Sequence, residues 1–215
     1  MRPVHRVHHV RRLSPGVFAL RFDRHGLLFE PGQYVNLGIP GSIARREYSV
    51  YSGAGDEFLE VLIREIPGGL VSPALARCQP GDALVVEGPY GLFVIDPEQR
   101  SRGRYLFVAS GTGISPFHCL VRSNPEIDYL LLHGVRAAGE QYDRQVFEPS
   151  RYVACISGGE GGDFRGRVTH WLRGHPVDAS RICCLCGNSD MIYEVFSILR
   201  DQGVPRRHIS AEIYF

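Results

Sequence analysis

Residues 105–117 read YLFVASGTGISPF. The first five residues form a compact apolar run, which is typical of a strand buried on both faces of a sheet. Small residues follow, and residues 114–122 have the pattern of a helix. Small residues between a strand and a helix let backbone N–H groups close on a pyrophosphate at the start of the helix. The turn in this stretch is therefore either a phosphate-binding loop or an ordinary connection between a strand and a helix.

The rest of the second half repeats this alternation. Three further compact apolar runs predict buried strands, and the segments between them have helical patterns. Alternating strands and helices predict a parallel α/β sheet. The predicted strands are residues 129–133, 152–157 and 182–186, and the predicted helices are residues 142–147, 167–173 and 190–201.

The first half of the chain indicates a different architecture. Six short runs rich in β-branched or aromatic residues are separated by turns that contain Gly and Pro. Ser72-Pro73 predicts the N-cap and first residue of one helix, which continues over residues 74–78. Short strands at this spacing predict an antiparallel barrel or sandwich. The predicted strands are residues 4–12, 17–22, 34–39, 47–51, 58–65 and 83–87.

These patterns predict a β-barrel followed by an α/β domain with a parallel sheet. The polar segment 96–103 suits a linker, which places the barrel at residues 1–98 and the α/β domain at residues 103–215. A chain of 215 residues is long enough for two small domains.

Composition excludes several function classes. With 44% hydrophobic residues, 22% charged residues and a formal net charge of +1, the chain has no overall field that attracts nucleic acid. It has neither an apolar run of the ~18 residues that a membrane-spanning helix needs nor the apolar segment of a signal peptide. Its six cysteines offer no disulfide framework and no ligand set for a metal. We therefore expect a reduced, cytoplasmic protein without a membrane span or a metal site.

Residues 46–49 read REYS and end a predicted strand of the first half. One interpretation is structural, with an arginine at a strand edge and a tyrosine on a half-buried face. In the other, Arg46 holds a pyrophosphate bidentately, Tyr48 presents a flat ring to a flat cofactor, and Ser49 offers a hydroxyl to a ring nitrogen. The segment Gly69-Leu70-Val71-Ser72 favours the second interpretation, because it opens a helix whose free N–H groups attract a phosphate.

Two further segments follow predicted strands of the second half. Cys186 lies at the carboxyl end of its strand, where α/β sheets bind ligands, and Asn188 or Ser189 is predicted to cap the next helix. Zinc or a disulfide would be competing uses of the neighbouring cysteines, but the partners are missing, and we predict that Cys183 and Cys184 pack in the core. The terminal Glu212-Ile213-Tyr214-Phe215 either packs both rings in the core or stacks Tyr214 on a cofactor, with Glu212 beside it.

Six motifs in this order resemble those of the ferredoxin-NADP reductase family, and most closely its short bacterial branch, which is also called the flavodoxin reductases. The resemblance covers essentially the whole chain, and the six motifs together are highly specific. They are F-x-P-G-Q-Y from Phe29, R-x-Y-S from Arg46, G-x-x-S from Gly69, S-G-T-G-I-S-P-F from Ser110, C-G-N-x-x-M from Cys186 and E-x-Y-F from Glu212.

The resemblance implies that the barrel binds FAD. Arg46 then grips the flavin pyrophosphate with help from residues 69–72, Tyr48 lies against the flavin, and Ser49 bonds near the reactive N5 atom. Tyr214 is expected to cover the nicotinamide side of the flavin, and Phe215 is expected to lie toward the FAD adenine.

The resemblance also implies that the second domain binds a nicotinamide dinucleotide. Glu212 matches a carboxylate near the flavin edge, and Cys186 matches a cysteine beside the incoming nicotinamide. The dinucleotide pyrophosphate is expected to be held by Gly111, Thr112 and Gly113.

The residues that match the 2′-phosphate site of the family are only partly present. Arg136 and Arg167 fill two of its arginine positions, but Ser157-Gly158-Gly159-Glu160 stands where the family has Ser-Arg, and Arg165 is the candidate to compensate. Because a planar guanidinium suits a phosphate, we expect NADP(H) to be preferred, with NAD(H) possible.

The function that the resemblance implies is an FAD-dependent oxidoreductase that exchanges a hydride with NADP(H) and passes single electrons to or from ferredoxin or flavodoxin. The alternatives are an NADH-using reductase component of an oxygenase and a non-catalytic electron-transfer subunit. The chain has no four-cysteine cluster motif, so we expect the electron acceptor to be a separate molecule. Arg2, Arg6, Arg11 and Arg12 form either a docking patch for an acidic carrier or a solvated strand face.

Overall fold

The computed structural model describes residues 4–100 and 102–214. They form two compact units. The first contains the described residues up to Val94 together with His118–Ser123, and the second contains Ile95–Phe117 and the described residues from Asn124 onward.

The first unit contains a six-stranded sheet in the order β4-β3-β6-β1-β2-β5, and its neighbouring strands pair antiparallel. A short helix, α1 (Ser72–Ala76), lies between β5 and β6 in the chain. The strands are β1 (His5–Ser14), β2 (Val17–Asp23), β3 (Tyr34–Gly38), β4 (Arg46–Ser49), β5 (Phe58–Arg64) and β6 (Ala83–Tyr90).

Contacts directly after β4 join the two outer strands of this sheet. Val50 pairs antiparallel with Val61 of β5, and the N–H of Tyr51 donates to the carbonyl of Glu60 at 2.7 Å. The sheet therefore closes on itself, which satisfies the outer strands without a second sheet. The antiparallel barrel predicted from the sequence is confirmed.

The second unit contains a parallel six-stranded sheet in the order β10-β9-β8-β7-β11-β12. The predicted α/β architecture is therefore confirmed, and the compact apolar runs form its central, buried strands. The strands are β7 (Arg104–Ser110), β8 (Asp128–Val135), β9 (Tyr152–Ile156), β10 (Phe164–Arg165), β11 (Ile182–Asn188) and β12 (Ile209–Tyr214), and the helices are α2 (Pro97–Arg100), α3 (Ser115–Ser123), α4 (Val168–Gly174) and α5 (Ser189–Asp201).

The chain order reverses direction across this sheet between β7 and β11. From β7 the chain builds outward through β8, β9 and β10, and it then returns to the other side of β7 with β11 and β12. In parallel sheets such a switch point leaves a crevice outside the carboxyl ends of the strands, and ligands bind there. The segments after β7 and at the end of β11 are therefore the candidate ligand-binding segments of this sheet.

The grouping of His118–Ser123 with the barrel differs from the predicted domain range of 103–215. The difference arises because these residues pack against residues of the barrel. Cys119 is fully buried in the apolar core of the barrel, and the ring of His118 stacks on Tyr51 with centroids 3.7 Å apart. A residue's place in the chain therefore does not decide which core it joins.

Two local predictions are wrong. Residues 142–147 do not form the predicted helix, because Asp143 adopts a left-handed backbone (φ 47°) and only a 3₁₀ turn at Arg144–Val146 follows. Ser72 is not the N-cap of α1 but its first helical residue, since its hydroxyl accepts instead from the N–H of Ile66 at 2.9 Å.

All six cysteines are buried and none forms a disulfide. Within residues 4–100 and 102–214, no three His, Cys, Asp or Glu side chains are grouped so that they could hold a metal ion. None of the helices described is both long enough and apolar enough to cross a membrane.

Leu20 of β2 is fully buried in the barrel core, whereas Leu92 of the same unit is 94% exposed. We expect Leu20→Ala to lower the free energy of unfolding by about 2–5 kcal/mol, because it removes buried apolar surface and leaves a cavity. The matched Leu92→Ala is expected to change it by no more than about 0.5 kcal/mol. Denaturant unfolding followed by circular dichroism measures both, and equal effects of the two variants would contradict the assigned barrel interior.

Candidate functional site

Strand β4 carries two of the predicted cofactor-binding side chains on one face. Arg46 and Tyr48 are two residues apart on the strand, and they pair with Leu37 and Val35 of β3. Arg46 is exposed, and its Nη1 donates to the carbonyl of Arg45 at 2.8 Å. No carboxylate in the described part of the chain pairs with it, so its charge is available to an anionic ligand.

Tyr48 combines a packed ring with a protonated hydroxyl. Its ring lies against the apolar core of the barrel and is half-buried. Burial raises the pKa of Tyr48 to about 12, while the charge of Arg46 acts in the opposite direction. The phenol therefore stays neutral at physiological pH and presents both a flat surface and a hydrogen-bond donor.

Ser49 is the last residue of β4, and it is buried. Successive side chains of a strand point to opposite faces, so Ser49 lies on the other face from Arg46 and Tyr48. The structure thus brings Arg46 and Tyr48 together on one face of β4 and places Ser49 on the opposite face.

The segment that leads into α1 offers a row of backbone donors. The N–H groups of Leu70, Val71 and Ser72 have no acceptor within the residues described. The preceding turn is held by the N–H of Gly69, which donates to the carbonyl of Ile66 at 2.9 Å. Consecutive unpaired N–H groups suit an anion, as does the Arg46 guanidinium of the same unit, and a pyrophosphate binds to groups of both kinds.

In the second unit, two segments meet at the switch point of the sheet. The loop after β7 begins with Gly111, whose φ is 52°, and continues as a 3₁₀ turn over Gly111–Ile114. A Cβ atom on Gly113 would overlap the carbonyl of Cys186, and one on Gly187 would overlap the hydroxyl of Ser110. The loop lies this close to β11 only because both positions are glycine.

The ends of β7 and β11 are also joined by a hydrogen bond. The N–H of Asn188 donates to the hydroxyl of Ser110 at 2.9 Å. The Asn188 side chain in turn caps α5, since its Oδ1 accepts from the N–H of Asp190 at 3.0 Å, which decides between the two predicted caps, Asn188 and Ser189. The predicted dinucleotide loop and the predicted end of the cysteine strand are therefore adjacent.

Cys186, Glu212 and Tyr214 come together at the same end of the sheet. Cys186 of β11 pairs with Glu212 of β12, and Asn188 pairs with Tyr214. Burial, and then the charge of Glu212, hold the pKa of the Cys186 thiol well above its usual range, while a hydrogen bond with Tyr214 acts in the opposite direction. Cys186 is therefore a neutral thiol and not an activated nucleophile. Phe215 lies outside the described residues.

Three arginines lie at or just beyond the carboxyl ends of β8 and β10. Arg136 comes directly after β8, Arg165 ends β10, and Arg167 precedes α4. All three are exposed, and no carboxylate within the described ranges forms an ion pair with their guanidinium groups. Because the carboxyl ends of parallel strands share one edge, these charges lie along the edge where the predicted dinucleotide loop begins.

The arginines of β1 have intramolecular partners instead. Arg6 donates to the carbonyl of Gly81 at 2.8 Å, Arg11 lies 3.7 Å from the carboxylate of Glu60, and Arg12 donates to the carbonyl of Ala76 at 2.8 Å. Arg2 lies outside the described residues. These contacts favour the solvated strand face over the predicted docking patch.

One pair of buried side chains beneath the predicted dinucleotide loop was missed by the sequence analysis. His133 of β8 contacts both the carbonyl of Gly111 (2.9 Å) and the hydroxyl of Tyr152 of β9 (2.7 Å). The only signal in the sequence was a histidine at the end of an apolar strand, and its partners become visible only in the folded sheet.

Comparisons with known proteins agree with this geometry. Residues 6–95 match the family model described as an oxidoreductase FAD-binding domain. The chain is 33% identical to ferredoxin--NADP reductase B of Sorangium cellulosum, over 95% of this chain and 94% of that protein. It is 30% identical to the toluate 1,2-dioxygenase electron transfer component of Pseudomonas putida, over 92% of this chain but only 63% of that protein.

A solved structure shows the same fold. The ferredoxin NADP+ reductase from Neisseria gonorrhoeae, determined with bound FAD and NADP, superposes with a TM-score of 0.86 over 99% of this chain and 98% of that chain, at 23% identity. The family resemblance that the six sequence motifs indicate is confirmed by the 33% identity over nearly the full length of both proteins. The chain therefore belongs to the ferredoxin-NADP reductase-like family of FAD-dependent oxidoreductases.

Proposed function

We propose that this protein exchanges a hydride with NADP(H) and passes single electrons to or from a ferredoxin or flavodoxin. One observation supports the proposal: each unit offers groups of the kind that binds a pyrophosphate. In the barrel these are the Arg46 guanidinium and the unpaired N–H groups of residues 70–72, and in the second unit they belong to the glycine loop at the switch point of the sheet. Two dinucleotide sites in one chain are what a hydride exchange between FAD and a nicotinamide requires.

In the barrel, Arg46 is proposed to hold the FAD pyrophosphate and Tyr48 to lie against the flavin. The exposed guanidinium without a carboxylate partner and the half-buried ring on the same face of β4 support these roles. Ser49 is proposed to bond near N5. When bound, FAD supplies a group that takes up electrons as a hydride and releases them singly, which neither a side chain nor a nicotinamide can do.

In the second unit, Gly111, Thr112 and Gly113 are proposed to hold the pyrophosphate of the nicotinamide dinucleotide. Cys186 and Glu212 are proposed to shape the polarity around the nicotinamide. Because burial keeps the Cys186 thiol protonated, it is expected to contact the nicotinamide without forming a covalent bond. Covering of the flavin by Tyr214 and placement of Phe215 toward the adenine remain predictions from the sequence.

The preference for NADP(H) is proposed from Arg136 and Arg167, with Arg165 as a third cation on the same edge. A planar guanidinium can hold a 2′-phosphate bidentately, and these groups have no carboxylate partner within the described residues.

The second candidate function is an NADH-using reductase component of an oxygenase. The observation that favours it is Glu160, which stands with two glycines where the family has an arginine. The relative from Pseudomonas putida is named for such a component, although the chain spans only 63% of its length. The electron partner of this chain, and its predicted cytoplasmic location, remain proposals.

The first test is an anaerobic titration of the purified protein with NADPH and, separately, with NADH, followed by flavin absorbance. We expect a yellow protein that NADPH bleaches at a much lower concentration than NADH does, because only NADPH carries the 2′-phosphate that the arginines bind. Equal or better bleaching by NADH would favour the oxygenase-reductase function. A colourless protein that takes up no FAD would contradict the proposal for the barrel.

Arg46→Ala tests the site for the FAD pyrophosphate. We expect it to weaken FAD binding by about tenfold to a hundredfold, because one charge-assisted contact contributes about 1.5–3 kcal/mol. The matched control is Arg77→Ala, which removes an exposed guanidinium at the other end of α1 and is expected to leave FAD affinity unchanged. Flavin fluorescence on titration of the apoprotein with FAD measures both, and equal losses in the two variants would argue against a specific role for Arg46.

Arg136→Ala and Arg167→Ala test the nicotinamide specificity. Each is expected to raise KM for NADPH by about tenfold or more and to leave KM for NADH nearly unchanged, because NADH has no 2′-phosphate for the lost guanidinium to bind. Steady-state reduction of ferricyanide with either nucleotide measures the effect. Arg173→Ala, which removes an exposed guanidinium that pairs with Glu194, is the control. An equal rise in KM for both nucleotides would indicate that these arginines bind a portion of the molecule that NADH and NADPH share.

A further inference from the structure

His133 is a fully buried histidine whose two ring nitrogens both have partners. Its Nε2 lies 2.9 Å from the carbonyl oxygen of Gly111, and its Nδ1 lies 2.7 Å from the hydroxyl of Tyr152. A carbonyl only accepts hydrogen bonds, so Nε2 carries the hydrogen and donates. In a neutral imidazole Nδ1 then accepts, and the Tyr152 hydroxyl donates to it.

Burial keeps both groups of this pair neutral. It lowers the pKa of His133 to about 4, although the hydrogen bond to Gly111 and the charge of Glu140 act in the opposite direction. Burial also raises the pKa of the Tyr152 phenol. The hydrogen bonds therefore run in one direction at physiological pH, from Tyr152 to His133 to the Gly111 carbonyl.

Tyr152 is itself held in place from two sides. Its ring packs against Phe147, with centroids 5.3 Å apart, and the guanidinium of Arg144 lies over it at 5.1 Å. Arg144 in turn binds both carboxylate oxygens of Asp163, at 2.9 and 3.0 Å. The Tyr152 hydroxyl thus has little freedom to leave His133.

The position of the Gly111 carbonyl decides where the next backbone donor points. A peptide bond is planar and trans, so the C=O of Gly111 and the N–H of Thr112 point in opposite directions. With its carbonyl turned toward His133, the loop directs the Thr112 N–H away from the buried histidine. Gly111 has a left-handed backbone (φ 52°), and without the hydrogen bond from His133 this glycine would be free to adopt other conformations.

We propose that His133 and Tyr152 are positioning residues that aim the Thr112 N–H at the pyrophosphate of the nicotinamide dinucleotide. This inference rests on the proposed function of the glycine loop and adds two residues that touch neither cofactor nor substrate. The pyrophosphate is common to NADPH and NADH, and it is the same in the ground state and the transition state of hydride transfer. Loss of the hydrogen bond from His133 to Gly111 therefore weakens the binding of both nucleotides equally and leaves the rate of the chemical step largely unchanged.

Three variants separate this role from simple packing. His133→Leu removes the donor to Gly111, and Tyr152→Phe keeps the ring but removes the hydroxyl that sets the imidazole tautomer. His133→Gln keeps an amide N–H at about the reach of Nε2 and is the conservative replacement. Steady-state ferricyanide reduction with NADPH and with NADH gives KM and kcat for each, and FAD content and melting temperature report on the fold.

We expect His133→Leu to raise KM for NADPH and for NADH by the same factor, about tenfold, with kcat within about twofold of the parent. Tyr152→Phe is expected to shift both KM values in the same direction by less, and His133→Gln to lie near the parent. If His133→Leu does not fold, Tyr152→Phe carries the test.

Three outcomes would overturn the inference. They are unchanged KM values in the folded variants, a change confined to one nucleotide, and a fall in kcat at constant KM. A parent protein that neither nucleotide reduces would instead refute the proposed function, and the inference with it. If the nucleotides reduce the parent protein but the KM values of the variants are unchanged, only the inference is refuted.

Discussion

The contact between Gly113 and the backbone of Cys186 is the constraint on which the site of the second unit depends. A Cβ atom on Gly113 would overlap the Cys186 carbonyl, so only glycine lets the loop after β7 lie against the end of β11. This contact falls at the point where the sheet order reverses, which is where parallel sheets leave room for a ligand. The register of β11 with β12 then brings Glu212 and Tyr214 to the same end of the sheet.

Burial determines the chemical state of the groups at this end of the sheet. Cys186 lies beside Glu212 in an apolar interior, and its thiol stays protonated. His133 is neutral for the same reason, and a neutral imidazole can donate from one nitrogen only while it accepts at the other. Within the described residues, the positive charge at this edge therefore comes from the exposed arginines, and the negative charge beside Cys186 comes from Glu212. This arrangement suits the proposed site, in which a phosphate is held by the exposed guanidinium groups.

The barrel positions its proposed cofactor-binding groups in a different way. Its sheet closes through Val50 and Tyr51 directly after β4, so the motif with Arg46 and Tyr48 lies at the closure of the barrel. Strand alternation separates the roles: the exposed guanidinium and the half-buried ring share one face, and the buried Ser49 lies on the other. The N–H groups before α1 add donors without adding charge. The proposed flat, negatively charged cofactor would meet both a flat ring and anion-binding groups in this unit.

Local pattern was enough to predict the six strands of the barrel, four of the six strands of the parallel sheet (β7, β8, β9 and β11), a helix cap at Asn188 or Ser189 and the six family motifs, because each depends on residues that are close together in the chain. The edge strands β10 and β12 were not among the predicted strands. The same reasoning failed at residues 142–147, where a left-handed Asp143 ends the helix that the pattern indicates. Only the tertiary structure decided that Cys119 joins the barrel core, that Cys186 lies beside Glu212, and that His133 reaches Gly111 and Tyr152. These relations follow from the order of strands in a sheet and from the shape of a core, which bring together residues far apart in sequence.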